Sequence, residues 1–132
     1  MSVVHAELIE GNYGHADEVL LAMNNAGVDT VLAALTQAAQ KGSARLDHGV
    51  TIHQFVIEPG AADIEFGDGT VLWRLDSAKA AEIIEFLTEM HDHPSAGHHY
   101  VDYMSTPART LVLSLNEYLG SLPAEATFPP PA

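Results

Sequence analysis

The sequence predicts an α+β fold in two layers, a mostly antiparallel sheet of about seven or eight strands with two helices on one face. Three observations carry that expectation. Val19–Leu35 aligns without a gap on Val71–Leu87, so that Val31 falls on Ile83, and each stretch reads as strand, cap and amphipathic helix. The match continues beyond the helices, with Arg45-Leu46-Asp47 on Tyr100-Val101-Asp102 and Phe55-Val56-Ile57 on Leu113-Ser114-Leu115. Each predicted helix has a single apolar stripe, which places both on the same side of the sheet. The chain therefore reads as an internal β-α-β-β duplication.

Residues 3–10 alternate loosely, Val4, Ala6 and Leu8 against His5, Glu7 and Ile9, until Gly11, Asn12 and Gly14 break the run; an opening strand and a loop follow. Residues 19–24 make a short apolar strand. From Val28 to Gln40, Val28, Val31, Leu32, Leu35 and Ala39 recur at helical spacing, and Gly42 is placed to end that helix in a left-handed cap. Residues 43–48 and 51–58 read as two strands, the second rich in β-formers (Ile52, Phe55, Val56, Ile57), and Pro59-Gly60 stops it.

A hairpin comes next. Ala62, Ile64 and Phe66 alternate with Asp63 and Glu65, Asp68-Gly69 supplies the positive φ values of a tight turn, and Val71, Trp73 and Leu75 alternate back. Asp76 and Ser77 are good caps for a second helix, in which Ala80, Ile83, Ile84 and Leu87 form the buried stripe and Lys79, Glu82, Glu85 and Glu89 cover the outer side. Pro94 and Gly97 end it in a turn. Two further strands, residues 98–104 and 110–117, are split by Ser105-Thr106-Pro107. Residues 1–120 form one domain, and residues 121–132, with Pro123, Pro129, Pro130 and Pro131, an extended tail. Period-2 counting puts Thr51, His53, Leu72 and Val112 on or near the side of the sheet away from the helices. A partly apolar face there predicts a homodimer or a barrel-like closure.

Composition narrows the function classes. With 132 residues, 47% of them hydrophobic, the chain suits one folded domain. It has no cysteine, which excludes disulfides, thiolate zinc sites and a cysteine nucleophile. Met1 to Glu7 lacks the cationic start and apolar run of a secretory signal, and no apolar stretch is long enough for a membrane helix; a soluble, cytoplasmic protein is expected. The 18 Asp and Glu against 5 Lys and Arg give a net charge of −13. Lys41, Arg45, Arg74, Lys79 and Arg109 are scattered, so the clustered cations that neutralise nucleic-acid phosphates are missing. A field of this sign suits a cationic protein partner, or simply solubility.

Two constellations are candidates for function. Four of the eight histidines lie within His91-Asp92-His93-Pro94-Ser95-Ala96-Gly97-His98-His99. Neutral imidazole is a common ligand of zinc and nickel, and a helix end followed by a Pro-broken turn can aim His91 and His93 at one point, joined by His98. His98 and His99 cannot both join, because successive strand residues face opposite ways. The other reading of His91 and His93 is favourable placement of partial positive charge at a helix C-terminus in a solvated turn. The second constellation is acidic. Glu82, Glu85, Glu89 and Asp92 form a stripe at helical spacing able to grip a basic partner, and Asp63 and Glu65 add a patch on the hairpin; solvated faces are the alternative for both. Serines occur without a nucleophile-elbow pattern, Gly11-Asn12-Tyr13-Gly14 is too short for a phosphate cradle, and no pair of carboxylates stands in a marked apolar pocket. No catalytic residue is assigned.

Two family resemblances bear on these readings. A tandem strand-helix-strand-strand chain of this size is similar in size and duplication to the paired-module metalloenzymes related to glyoxalase, whose metal ligands lie on the first and last strands of each module. Here Val19–Asn24 and Val71–Leu75 contain no His or Glu, so the resemblance stays topological. The last third, His98-His99-Tyr100-Val101-Asp102-Tyr103 followed by Thr110-Leu111-Val112-Leu113-Ser114-Leu115-Asn116-Glu117-Tyr118, resembles the closing strand pair of small acidic bacterial toxin-immunity proteins. That resemblance implies binding and blocking a toxin domain, by acidic complementarity where the toxin is a cationic nuclease. The expectation is a non-enzymatic acidic binding protein with a basic protein partner and no cofactor. The alternative is a small metal-dependent enzyme or metal sensor using the His91–His99 turn with zinc or nickel.

Overall fold

The structure, a computed structural model, describes residues 2–11, 14 and 16–117; the tail expected over residues 121–132 lies outside the described residues. The elements in chain order are β1 (Val4–Ile9), β2 (Glu18–Met23), α1 (Asn25–Lys41), β3 (Ser43–His48), β4 (Thr51–Ile57), β5 (Ala62–Gly67), β6 (Thr70–Leu75), α2 (Ser77–Asp92), β7 (Gly97–Val101) and β8 (Thr110–Leu115).

Local chemistry explains the helix limits. Asn24 caps α1 through a side-chain oxygen that accepts from the Gly27 N–H at 2.8 Å, so the helix starts before its apolar stripe does. It ends as expected on Gly42, where φ is 95° and the cap N–H bonds the Ala38 carbonyl at 2.7 Å. The Asp76 carboxylate accepts from the Lys79 N–H at 2.7 Å to start α2. That helix closes on His93, whose N–H reaches the Glu89 carbonyl.

The fold is α+β, with two helices, eight strands and a duplicated unit among the described residues. The strands divide, however, into two four-stranded sheets ordered β1-β2-β8-β7 and β3-β4-β6-β5. Outer pairs are antiparallel, and each sheet has a parallel pair at its centre, β2 with β8 and β4 with β6. Alternation of residue type reports which face of a strand is buried, not which strand lies beside it. The first sheet's central strands, buried along Val19–Met23 and Leu111–Leu115, show the near-continuous apolar runs expected of strands covered on both faces.

The duplicated unit contains one strand more than the alignment suggests. Leu21 pairs with Leu113 and with Ala6, while its counterpart Trp73 pairs with Phe55 and with Ile64. Ala6 is thus equivalent to Ile64, β1 to β5, and each half is a β-β-α-β-β unit. Residues 10–17 join β1 to β2 where Asp68-Gly69 joins β5 to β6, which hid the first hairpin from a gapless alignment. The halves are also intertwined. Each sheet takes the leading hairpin of one half and the trailing hairpin of the other.

One core serves both sheets and both helices. Val28, Val31, Leu35 and Ala38 of α1 and Ala80, Ile83, Leu87 and Met90 of α2 join Leu21, Leu113, Phe55, Trp73 and Leu75 in a single buried cluster, and α1 packs on α2. Full burial of each Val, Leu, Ile or Met side chain among these is worth about 1.5–3 kcal/mol. Leu20, Ala22 and Val112 form a smaller cluster on the opposite face of the first sheet. Thr51 and His53 correct the period-2 assignment. They share a face with Phe55, which belongs to the core, whereas Leu72 lies on the outer face with Gln54.

Candidate functional site

Two of the three buried polar side chains among the described residues lie where β1 meets the second sheet, the third being Ser114 on β8. His48 and His53 are both buried there, His53 only 1% exposed. A cavity of about 290 Å³ opens beside them, lined by Val4, His5 and Ala6 of β1, by Thr51 and His53 of β4, and by Phe66 of β5.

Hydrogen bonding fixes the state of these rings. The Trp73 Nε1–H donates to His53 Nδ1 at 3.2 Å, which assigns the proton of the neutral imidazole to Nε2. That Nε2 is buried and has no partner among the described residues. Burial, with smaller contributions from neighbouring His48 and His5, lowers the His53 pKa from 6.5 to about 4, so the ring is neutral at physiological pH. His48 Nε2 donates to the Ser2 carbonyl at 3.0 Å, leaving its buried Nδ1 as an unmatched acceptor. His5 Nε2 lies 3.5 Å from Glu7 Oε1 without forming a hydrogen bond. The site thus offers an uncharged N–H donor and apolar walls. Neither buried ring is bonded to a hydroxyl among the described residues, the pairing that activates a nucleophile.

The sequence reading put His53 on the outer side of the sheet and gave His48 no role, although one signal was present. His53, Phe55 and Ile57 have the same parity along β4, so a core-facing Phe55 carries His53 inward with it.

The predicted metal ligands do not come together. His91 Nδ1 lies 2.6 Å from Asp29 Oδ1 on α1, and His98 Nδ1 lies 2.9 and 3.1 Å from the two carboxylate oxygens of Glu117. His93 is the exposed cap of α2, and His99 stacks on Phe86 with ring centroids 4.7 Å apart. Among the described residues no three His, Asp or Glu side chains are placed to hold a metal ion. Clustering along the chain brought four imidazoles near one turn, but carboxylates from distant segments turn His91 and His98 to separate points.

The predicted acidic residues occupy two separate surfaces. On α2, Glu82 is paired with Lys79 at 3.0 Å and Glu89 stands 3.9 Å from His99. Glu85 and Asp92 are exposed and make no ion pair among the described residues. Asp63 is bound to Arg74 at 2.7 Å, and with Glu65 it leaves the face of the second sheet opposite Ala62 and Ile64. That face points away from the core on which α2 packs.

No protein-family model and no curated protein matches the chain. Among solved structures it is similar to the crystal structure of Drosophila Suppressor of Fused, with a TM-score of 0.48 and 10% identity over 86% of this chain and 26% of that one. The chain spans about a quarter of the length of that protein.

Proposed function

We propose that this chain is a non-enzymatic binding protein of the cytoplasm that recognises a basic protein through the outer face of α2, around Glu85, Glu89 and Asp92. Charge bookkeeping within the fold supports the reading best. Of the five cationic side chains, Arg45 is taken up by Asp47, Arg74 by Asp63, and Lys79 by Glu82 and the Asp102 carbonyl. The excess of negative charge is therefore left to solvent-facing carboxylates, and an exposed acidic face steers a cationic partner toward it. The resemblance of the last third to toxin-immunity proteins gives that partner a class, a cationic toxin domain held inactive. Among the described residues no helix is long and apolar enough to cross a membrane. Self-association as a homodimer belongs to the same reading, through the exposed Leu8 and Ile9 at the end of β1.

Binding measured from low to high ionic strength is the test. Capture of a basic protein that falls steeply with salt, and is lost in a Glu85→Lys, Asp92→Lys variant of unchanged stability, is the expected result. Capture that ignores both salt and charge reversal would remove the α2 face from consideration.

A further inference from the structure

The two halves of the molecule differ in the connection between their last two strands, and among the described residues that difference leaves a strand position unfilled. In the second half, the long connection Asp102–Arg109 folds back along the free edge of β5. The Ile64 N–H donates to the Thr106 carbonyl at 2.8 Å, and the Ser105 N–H donates to the Ala62 carbonyl at 2.7 Å. Met104 and Ala108 of the same connection are buried in the core. In the first half the corresponding connection is only Gly49-Val50.

Among the described residues the equivalent edge of β1 is consequently open. Ala6 corresponds to Ile64 and Val4 to Ala62. The Val3 carbonyl accepts from the Asn24 N–H, so Val3 turns its peptide groups toward β2. Peptide groups alternate sides along a strand, which turns those of Val4 and Ala6 away from β2. Among the described residues nothing pairs with the Ala6 N–H or the Val4 carbonyl on that side. The cavity described above lies there, lined by Val4, His5 and Ala6. One of its departures from the plugged half supplies a hydrogen-bond donor. The residue equivalent to Leu111 is His53, whose Nε2–H is buried and unmatched.

We propose that this cleft binds an extended peptide segment of a partner protein by strand addition to β1. The peptide's backbone pairs with the Ala6 N–H and the Val4 carbonyl, as Ser105 and Thr106 do on β5. An acceptor oxygen on its inward side chain receives the His53 Nε2–H. The internal duplicate identifies the occupant, because the matching edge already holds an extended chain segment. Main-chain hydrogen bonds supply affinity in this mode, and the pocket for an alternate side chain supplies specificity. This inference is independent of the acidic face of α2, and charge reversal there does not bear on it.

The test uses a synthetic peptide with the sequence of Asp102–Arg109 and a second one carrying Met104→Gln, each titrated into the full chain. Backbone amide exchange and chemical shifts at Ala6 are read by NMR. The Gln peptide is expected to slow Ala6 amide exchange at least tenfold at saturation and to bind wild type about tenfold more tightly than the Met peptide does. The preference should reverse in His53→Leu, which copies the residue of the other half. Ala6→Pro removes only an outward N–H from an edge strand and should abolish binding, with Trp73 fluorescence checking that the core is intact. Grafting Asp102–Arg109 in place of Gly49-Val50 should also abolish it, and serves if Ala6→Pro misfolds. Neither peptide binding at Ala6, or the same preference in wild type and His53→Leu, would overturn the proposal. An Ala6 amide already protected in the free protein would overturn it too, by giving the edge to the chain's own residues or to a second copy.

Discussion

Trp73 and His53 are joined across a strand boundary, the indole Nε1–H of one donating to Nδ1 of the other at 3.2 Å. The bond is diagonal to the register, in which His53 lies opposite Val71 and Trp73 opposite Phe55. It satisfies the indole, selects one imidazole tautomer and leaves the remaining N–H of His53 buried without a partner among the described residues.

Stability should fall with acid in a window set by His53. Its folded pKa, about 4, is depressed below the ordinary 6.5, so the unfolded chain takes up a proton first. The contribution of a neutral His53 is complete above pH 6.5 and is lost as pH falls from there toward 4. At pH 5 the loss from this residue is about 2 kcal/mol relative to pH 7.5. Urea unfolding at both values should show a loss smaller by about that amount in His53→Leu than in wild type. Equal losses would mean that His53 titrates normally.

Trp73→Phe should cost about 2–3 kcal/mol, because it removes buried ring area and leaves His53 Nδ1 without its donor. The cost should shrink in the His53→Leu background, where no acceptor is stranded. A double-mutant cycle by urea denaturation measures that coupling.

Gly27→Ala should destabilise by about 1–3 kcal/mol despite alanine's better helix propensity. A Cβ at Gly27 collides with the Val3 carbonyl oxygen, backbone that cannot rotate away. Ala33→Gly, an exposed position on the same helix, should cost only about 1 kcal/mol, all of it propensity. Thermal melts of the two variants separate close packing from helix formation.

Zinc or nickel added to the tag-free protein should leave the melting temperature unchanged, since His91 and His98 sit on separate carboxylates. The His91–Asp29 pair joins exposed groups on two helices, and Asp29→Asn should shift stability by no more than about 1 kcal/mol. A saturable rise in melting temperature that His91→Ala, His93→Ala removes would contradict this.

Much of the fold was legible because it depends on local chemistry. The stripes through Val31 and Ile83, the caps at Gly42 and Asp76 and the Asp68-Gly69 turn each follow from residues within a few positions of one another. The division into two sheets was not legible, because Leu21 and Leu113 are distant in sequence and nothing in an apolar strand names its neighbour. Equivalence of β1 and β5 was masked by the unequal connections of residues 10–17 and 68–69. The histidine-rich turn misled for a related reason. Asp29 and Glu117, which capture His91 and His98, come from other parts of the chain. His53 was read as outward although its parity with Phe55 pointed in, and its partner Trp73 becomes visible only once β4 and β6 are known to lie side by side.

Because every sheet is assembled from both halves, neither half can complete a sheet alone: residues up to Ile57 hold two hairpins that pair only with hairpins from Ala62 onward. Cutting the chain at Pro59-Gly60 should therefore yield fragments that fold only when mixed. The same arrangement is that of two β-β-α-β-β units exchanging hairpins, here joined end to end in one chain. Within a single chain the two units need not match, and the Asp102–Arg109 connection seals the edge of β5 where Gly49-Val50 is too short to do the same for β1.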